Sequence, residues 1–495
     1  MSANPLAPNW LAVPADANDL DPRVWSRGSA RGESGALSIA GVDIPSLVAT
    51  YGTPVYVVDE ADARGRARDI RESFEREFAR IGGKARVYYA GKAFLSIEVA
   101  RWMIEDGLNI DVASGGELAV ALAAGVEPAR LGMHGNNKSL DEIDRAVSVG
   151  VGTIVLDSLI EIDRVAAAAE RHGRVQPVRL RMNSGVHAST HEYLATARED
   201  QKFGIPLADA PDAVARIRDH ASLEFLGLHS HIGSQIFESD GFAEAAHRLF
   251  ALHAELLKTG SVPELNLGGG FGIAYTSADE ALPMDELAKR FADIVGSAAN
   301  EFGVPIPTVS IEPGRSIIGP STTTVYEVGT IKDVVVTVDG LPRASGTSLT
   351  PVPTTSLGAV PEPVEGPAAQ TAVRKYVSID GGMSDNIRAA LYGADYSVRI
   401  ASRRSDAEPV LVRIAGKHCE SGDIVVNADY LPGDVAPGDL VAVPATGAYH
   451  WSMASNYNYL GRPPVVAVKD GSAHLLVRGE TERDLLSRDA GLETP

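Results

Sequence analysis

The sequence contains only one cysteine, Cys419, in 495 residues. A single cysteine excludes an internal disulfide framework and a zinc site built from several cysteines, and it is typical of a reducing compartment. Long apolar runs are also missing. No stretch is long enough to span a membrane, and Met1 to Pro14 lacks the basic segment and apolar run of a leader peptide. We therefore expect a cytoplasmic protein with no membrane partner.

Basic residues are scarce relative to acidic ones. The chain has 45 Lys and Arg against 65 Asp and Glu, which gives a formal net charge of −20 at pH 7. This charge argues against non-specific binding of nucleic acid or anionic membranes, because both are polyanions. It does not exclude an acidic small molecule as substrate, since a local cluster of arginines can override the overall sign.

The length of the chain favours two domains, and the first shows a regular alternation. After an amphipathic helix over 60–81, eight short apolar strands alternate with helix-patterned segments. The strands are predicted at 86–90, 109–113, 131–134, 153–157, 178–182, 225–229, 264–267 and 308–311. Eight strand-then-helix units favour a closed (β/α)8 barrel of the TIM type over an open doubly wound α/β sheet. We assign this barrel to residues 52–320.

The pattern changes to short alternating strands from about residue 321. We predict a C-terminal antiparallel β domain, a barrel or a sandwich, made of residues 321–495 together with 1–51. Residues 339–372 interrupt it with a sequence dominated by Pro, Ser, Thr, Gly and Ala that has no periodicity. We predict that this segment is a disordered surface insertion.

The chemically unusual residues directly follow predicted barrel strands, whose carboxyl ends form the mouth where such barrels bind ligands. Lys92 follows the first strand. Apolar surroundings would lower the pKa of its side chain and leave an amine that can condense with an aldehyde, although a lysine that merely reaches the sheet rim fits the same pattern. His231 and Ser234 follow the sixth strand; a single histidine there is also compatible with a hydrogen-bonded core residue.

The last two barrel strands are followed by a glycine triplet and by a charged loop. Gly268, Gly269 and Gly270 would let backbone amides approach a phosphate, or they form a tight turn. The segment Glu312-Pro-Gly-Arg315 supplies a carboxylate and a cation, or an ordinary salt bridge. Taken together, an amine, a phosphate cradle, an imidazole face and a carboxylate form a receptor for pyridoxal phosphate, because the carboxylate can hold the pyridine nitrogen protonated.

Several motifs in one order make the chain resemble a known family, the alanine-racemase-like (fold type III) pyridoxal-phosphate decarboxylases. The barrel motifs are Tyr89-Ala-Gly-Lys92-Ala-Phe, Asp111-Val-Ala-Ser-Gly-Gly-Glu117, His134-Gly-Asn-Asn-Lys138, Lys202-Phe-Gly204, His229-Ser-His-Ile-Gly-Ser-Gln235, Gly268-Gly-Gly270 and Glu312-Pro-Gly-Arg315. The β-domain motifs are Asp380-Gly-Gly-Met-Ser-Asp-Asn386, Cys419-Glu-Ser-Gly-Asp423 and Gly447-Ala-Tyr449. The resemblance extends from about Pro54 to the C-terminus, excluding the insertion.

The resemblance implies a role for each site residue. Lys92 would bind the cofactor covalently, His231 would stack on its ring and Glu312 would pair with the pyridine nitrogen. The phosphate would lie among Ser234, Gly268, Gly269, Gly270, Gly314, Arg315 and Tyr449, and the substrate among Arg315, Arg388, Tyr392, Glu420 and Tyr449. Cys419, the only thiol and next to an acidic residue, suits the role of proton donor, although a lone cysteine also fits a buried apolar position. The resemblance implies that Cys419 and Glu420 reach the active site of a partner subunit in a homodimer. We expect no metal site.

The substrate implied by the resemblance is meso-2,6-diaminopimelate, decarboxylated to L-lysine in lysine biosynthesis. Two arginines suit its distal carboxylate and Glu420 suits its distal ammonium. The alternatives are a decarboxylase of ornithine, lysine or another diamino acid, a non-catalytic protein that carries pyridoxal phosphate, and a racemase. Two positions depart from the family pattern, because Ser184 and Ala389 replace common prolines after Asn183 and Arg388.

Overall fold

The computed structural model of the chain describes residues 4–186, 202–231, 233–237, 240–338 and 370–491. Eight parallel strands close into a barrel, because the first strand pairs with the eighth as well as with the second. The strands are Lys84–Ala90, Asn109–Val112, Leu131–Met133, Thr153–Leu156, Gln176–Asn183, Leu223–His229, Glu264–Asn266 and Thr308–Ile311. The predicted (β/α)8 barrel is therefore confirmed, and each strand lies within two residues of its predicted limits.

Helices surround the barrel and begin at local sequence signals. They are Glu60–Arg80, Ile97–Glu105, Gly115–Ala123, Leu140–Val149, Leu159–Arg171, Ala210–Asp219, Asp240–Leu257 and Met284–Phe302. The side chains of Ser96, Ser114 and Ser139 cap the amino termini of three of them by accepting backbone N–H bonds, and Ser139 forms a reciprocal capping box with Glu142. None of the helices in these ranges is long and apolar enough to cross a membrane.

A second sheet is formed by most of the strands that do not belong to the barrel. They are Val55–Asp59, Thr322–Val338, Gln370–Ile379, Arg399–Ile400, Pro409–Ala415, Ile424–Pro432, Leu440–Val443, Val465–Lys469 and Ser472–Val477. Most pairings are antiparallel, as predicted. Two are parallel, those of Gln370–Ile379 with Pro409–Ala415 and of Val55–Asp59 with Val465–Lys469. The sheet is therefore mixed rather than purely antiparallel.

Some elements differ from the expected ones. In the β domain, the alternating pattern of the sequence favours two separate strands at 323–328 and 334–338, but these residues form one strand, Thr322–Val338, with a register irregularity between Val328 and Ile331. Val55–Asp59 precedes the barrel in sequence but pairs with Thr322–Val325 of the second sheet. We therefore propose that the barrel unit begins near residue 60 rather than at 52.

Of the predicted insertion, residues 339–369 lie outside the described ranges, whereas 370–372 belong to the strand Gln370–Ile379.

The N-terminal part of the chain packs on the second sheet. It forms a small sheet of Ser29–Arg31, Leu37–Ile39 and Val42–Asp43, followed by the helix Ile44–Tyr51. Trp25, Leu37 and Ile44 are fully buried in the core of the second sheet. The segment Ile273–Tyr275, which follows the seventh barrel strand, packs into the same core. One loop of the barrel mouth is therefore held by the second domain.

Candidate active site

One pocket, with a volume of about 450 Å³, lies at the carboxyl ends of the barrel strands and beneath the second domain. Ten of the residues predicted from the sequence line it: Lys92, His231, Ser234, Gly270, Glu312, Gly314, Arg315, Arg388, Tyr392 and Tyr449. Four others do not line it: Gly268, Gly269, Cys419 and Glu420. Residues far apart in the sequence are therefore brought to one site by closure of the barrel and by docking of the second sheet.

Lys92 lies two residues beyond the first barrel strand, in a tight turn that leads to the helix Ile97–Glu105. The turn is held by backbone bonds from Gly91 N to Asp111 O (2.9 Å) and from Ala93 N to Ala90 O (3.1 Å). The side chain of Lys92 is exposed to the pocket, so the expectation of a lysine buried in apolar surroundings is wrong. Lys92 follows the carboxyl end of the strand, and its side chain faces the open mouth of the barrel.

Glu312 is a buried carboxylate directly after the eighth strand. Its Oε1 accepts a hydrogen bond from Asn266 Nδ2 (2.7 Å) and lies 3.1 Å from His229 Nε2. Burial alone would raise its pKa, but the imidazoles of His229 and His134 oppose this, and its pKa lies well below the usual value. Burial also lowers the pKa of His229 to about 4. Glu312 is therefore ionised at neutral pH beside an uncharged imidazole.

A second buried carboxylate, Asp111, lies in the same region. His134 Nε2 is 3.2 Å from Asp111 Oδ1 and 3.5 Å from Glu312 Oε1, so both carboxylates approach the same imidazole nitrogen. Burial raises the pKa of Asp111 to about 6, although His134 counteracts part of that effect. We call Asp111, His134, His229 and Glu312 the acidic wall of the pocket.

His231 lies against the glycine triplet. Its Nδ1 accepts a hydrogen bond from Gly269 N (3.3 Å), and burial together with the nearby Lys92 charge holds its pKa well below the usual value. A side chain at Gly269 would overlap the Glu312 carbonyl, and one at Gly270 would overlap the Gly233 carbonyl. The glycines therefore let the loops after strands six, seven and eight approach one another, and only Gly270 reaches the pocket surface.

Arg315 and Arg388 enter the pocket from the other side. Arg315 donates from Nη1 to the Tyr275 hydroxyl and from Nη2 to Ser234 Oγ (2.6 Å), and its Cζ lies 4.7 Å from the ring centroid of Tyr449. Arg388 donates from Nη1 to Tyr396 Oη (2.5 Å).

Both guanidinium groups are more than nine-tenths buried, and across the described ranges neither forms an ion pair with a carboxylate. We call Arg315, Arg388, Tyr275, Tyr396 and Tyr449 the basic wall.

Cys419 and Glu420 lie in the turn between the strands Pro409–Ala415 and Ile424–Pro432. Both are exposed and neither reaches the pocket of its own chain. The preceding residue, His418, is buried and contacts Ser384 Oγ (2.8 Å), and its ring stacks on that of Tyr457. The turn is therefore anchored close to the segment 451–459, which contributes Met453 to the pocket.

Sequence reasoning assigned no role to several residues that line the pocket. They are Asp111, Glu117, His134, Asn136, Arg181, Phe203, His229 and Met453. Arg181 ends the fifth strand with its Cζ 4.4 Å from the Phe203 ring centroid. One sequence signal could have identified Arg181 as a site residue: Arg179 and Arg181 occupy alternate positions of a strand predicted to be buried. A charged residue in such a barrel strand points into the interior and requires a partner there.

The donor set of this pocket fits pyridoxal phosphate. An amine at Lys92, an ionised carboxylate at Glu312 and an uncharged imidazole at His231 surround one cavity. The buried oxygens of Asp111 have no hydrogen-bond partner among the described residues. At the opposite end of the cavity, the glycine loop lets backbone amides approach a phosphate, and Arg315 supplies a positive charge.

The family comparison defines the class. Residues 67–319 match the model of the family described as "Pyridoxal-dependent decarboxylase, pyridoxal binding domain". The match covers the barrel and includes Lys92, His231, Glu312 and Arg315. The chain is thus a pyridoxal-phosphate-dependent decarboxylase, and the predicted enzyme class and cofactor are confirmed.

Individual relatives narrow the class. The chain is 49% identical over 476 residues to diaminopimelate decarboxylase of Mycobacterium tuberculosis, covering 94% of this chain and 98% of that protein. It is 41% identical over 470 residues to the Bacillus subtilis enzyme of the same name, with 94% and 98% covered. It superposes with a TM-score of 0.80 and 28% identity on diaminopimelate decarboxylase of M. jannaschii in complex with L-lysine, covering 95% and 98% of the two chains. The chain belongs to the diaminopimelate decarboxylase family.

Proposed function

We propose that this chain decarboxylates meso-2,6-diaminopimelate to L-lysine and CO2 with pyridoxal phosphate as cofactor. The observation that carries the proposal is the basic wall, where Arg315 and Arg388 are buried and face one pocket without a carboxylate partner among the described residues. Burying two cations is costly unless an anion joins them. The distal carboxylate of diaminopimelate would supply that anion in a charge-assisted, bidentate interaction.

We assign cofactor binding to both walls. Lys92 would condense with the aldehyde of the cofactor, and the ionised Glu312 would hold a proton on the pyridine nitrogen. Ser234, Gly314, Arg315, Tyr449 and the glycine triplet would surround the phosphate. When bound, pyridoxal phosphate accepts the electron pair that the departing CO2 leaves behind. His231 would contribute the face of an uncharged ring. Because its pKa is low, His231 would not compete for the proton on the pyridine nitrogen.

Cys419 and Glu420 would act across a homodimer. Both residues are exposed and lie outside the pocket of their own chain, close to the exposed rings of Tyr457 and Tyr459. A second copy of the chain packed on this surface would bring a thiol and a carboxylate to the mouth. The thiol could then protonate the carbon that has lost CO2, and the carboxylate could bind the distal ammonium. We also propose a cytoplasmic location, supported by the single cysteine.

A product assay tests the reaction. The purified protein, loaded with pyridoxal phosphate, is incubated separately with meso-diaminopimelate, ornithine and lysine, and the amine formed is identified by mass. We expect L-lysine from diaminopimelate and little product from the other two, because a substrate without a distal carboxylate leaves Arg388 with no anion to bind. Preferential turnover of ornithine or lysine would contradict the proposed substrate.

A trapping experiment tests whether Lys92 is the residue that binds the cofactor covalently. Borohydride reduction of the loaded protein, followed by peptide mass mapping, is expected to place the cofactor on Lys92. Lys92→Ala is expected to lose covalent attachment and essentially all decarboxylation. Lys138 is the matched control, because it lies near the same mouth but is buried in an ion pair with Glu161 (3.0 Å). Cofactor trapped on any residue other than Lys92 would overturn the assignment of both walls.

A further inference from the structure

Behind the basic wall, a chain of buried polar groups extends from Arg388 into the second domain. Arg388 Nη1 donates to Tyr396 Oη at 2.5 Å, and the same oxygen lies 2.7 Å from His450 Nε2. Arg388 is 3% exposed, Tyr396 1% and His450 0%. These burial values exclude bulk water as a substitute partner, so each group depends on the next one.

The chemistry of the three side chains gives the hydrogen bonds one direction. A guanidinium can only donate, so the Tyr396 oxygen accepts from Arg388. We assign the single hydroxyl proton of Tyr396 to His450 Nε2, which accepts it as an uncharged imidazole. Burial, together with the charges of Arg388 and Arg315, holds the pKa of His450 well below its usual value, in agreement with that state.

Aromatic rings restrain Arg388 from a second direction. Its Cζ lies 4.6 Å from the ring centroid of Tyr275, and the Tyr275 and Tyr396 rings meet edge to face at 5.0 Å. One edge of the guanidinium is therefore bound to Tyr396 and one face rests on Tyr275. The remaining N–H groups are the ones that a ligand carboxylate in the pocket can use.

We propose that Tyr396 and His450 are positioning residues that orient Arg388 and so set the preference for a substrate with a distal carboxylate. Neither residue was predicted to belong to the site, and neither is expected to touch the reacting atoms. The inference rests on the proposed function, because it assigns the distal carboxylate of diaminopimelate to Arg388.

The first test compares two Tyr→Phe variants of the cofactor-loaded enzyme. Tyr396→Phe removes the acceptor of Arg388 while keeping the ring, and we expect kcat/KM for meso-diaminopimelate to fall roughly ten- to hundredfold, mainly through KM. The absorption spectrum of the bound cofactor should not change. Tyr430→Phe is the matched control, because Tyr430 is equally buried in the second domain but its hydroxyl has no hydrogen-bond partner there. Its kinetics should equal those of the wild type.

Two substitutions of His450 test the direction of the hydrogen bonds. His450→Gln keeps an amide oxygen that can accept from Tyr396, whereas His450→Leu removes any acceptor. We expect the leucine variant to reproduce the rise in KM of Tyr396→Phe and the glutamine variant to restore most of the wild-type value. Equal KM values in the two variants would overturn the role of His450.

A double-mutant cycle separates positioning from general stability. If Tyr396 acts through Arg388, then Tyr396→Phe should have almost no further effect on kcat/KM in the background of Arg388→Ala. Additive effects would contradict the proposal, as would a Tyr396→Phe enzyme with unchanged KM. The failure of the proposed function has a different result, because the wild-type enzyme itself would then form no lysine from meso-diaminopimelate.

Discussion

The acidic wall and the basic wall of the pocket differ in how their charges are compensated. On the acidic wall, Glu312 and Asp111 lie within about 3.5 Å of imidazole nitrogens from His134 and His229. On the basic wall, Arg315 and Arg388 have only hydroxyl groups and aromatic rings as partners in the described part of the chain. The carboxylates of the first wall therefore have imidazoles beside them, whereas the arginines of the second wall have no carboxylate beside them in the described ranges.

This difference follows from where the two walls come from. The acidic wall is built from the second, third, sixth and eighth barrel strands or the residues directly after them, so closure of one sheet brings its carboxylates and imidazoles together. The basic wall combines Arg315 and Tyr275 from barrel loops with Arg388, Tyr396 and Tyr449 from the second domain. Cation–π contacts with the aromatic neighbours offset part of the cost of burying these arginines without a carboxylate. A ligand carboxylate completes the arrangement.

The largest expected effect comes from removing one cation of the basic wall. Arg388→Ala should lower kcat/KM for meso-diaminopimelate at least about a hundredfold, because a charge-assisted interaction with the substrate is lost. Cofactor binding, followed by absorption spectroscopy, should be unchanged. Arg290→Ala serves as the control, since Arg290 is exposed and pairs with Glu286 on the same helix. Unchanged kinetics in Arg388→Ala would mean that the basic wall does not bind the substrate.

A smaller effect is expected from neutralising one carboxylate of the acidic wall. The pKa of Asp111 is about 6 in the folded protein against 3.8 when unperturbed. The folded protein therefore holds this proton more tightly than the unfolded chain, and ionisation of Asp111 weakens folding as the pH rises from about 4 to about 6. Relative to the wild type, Asp111→Asn should gain stability over that interval, by about 3 kcal/mol at most.

The measurement is the difference in Tm between Asp111→Asn and the cofactor-free wild type at several pH values. Asp285→Asn is a control of opposite sign. The pKa of Asp285 is lowered by its hydrogen bond with Ser73 and by Arg76, so its charge favours folding and that contribution is lost as the pH falls. A Tm difference for Asp111→Asn that stays constant with pH would show that its charge is already compensated by His134.

The smallest effect is expected where several contacts hold the same side chain of the basic wall, as they do for Arg315. Ser234→Ala removes the acceptor of Arg315 Nη2, but the Tyr275 hydroxyl and the Tyr449 ring still hold the guanidinium. We expect a loss of about 1 kcal/mol, seen as a several-fold lower kcat/KM. A loss as large as that of Arg388→Ala would indicate that Ser234 itself binds the ligand. Phosphate competition assays on the two variants would then distinguish cofactor binding from substrate binding.

Elements with a strong local signal could be predicted from the sequence. Ser139 as an amino-terminal cap and the helical spacing after it predict the helix Leu140–Val149 to the residue. The strand Ile424–Pro432 was missed, because Asn427 and Asp429 interrupt its apolar pattern. Asp429 accepts from the adjacent Tyr430 N (2.7 Å), but it also accepts from Val398 N (2.7 Å) and pairs with Arg399 (2.9 Å), two residues about 30 positions away in the sequence. Such contacts cannot be derived from local periodicity.

The sequence by itself determined the barrel, the enzyme class and the identity of Lys92, His231, Glu312 and Arg315 as residues of the mouth. These follow from a repeated pattern and from motifs that place reactive groups directly after strands. Only the tertiary structure decided that Asp111 and Glu312 approach the same imidazole nitrogen of His134 and that Lys92 is open to the pocket. The same holds for the hydrogen bonds that connect Arg388, Tyr396 and His450. Burial and hydrogen-bond partners depend on which distant segments meet, and no local pattern encodes that meeting.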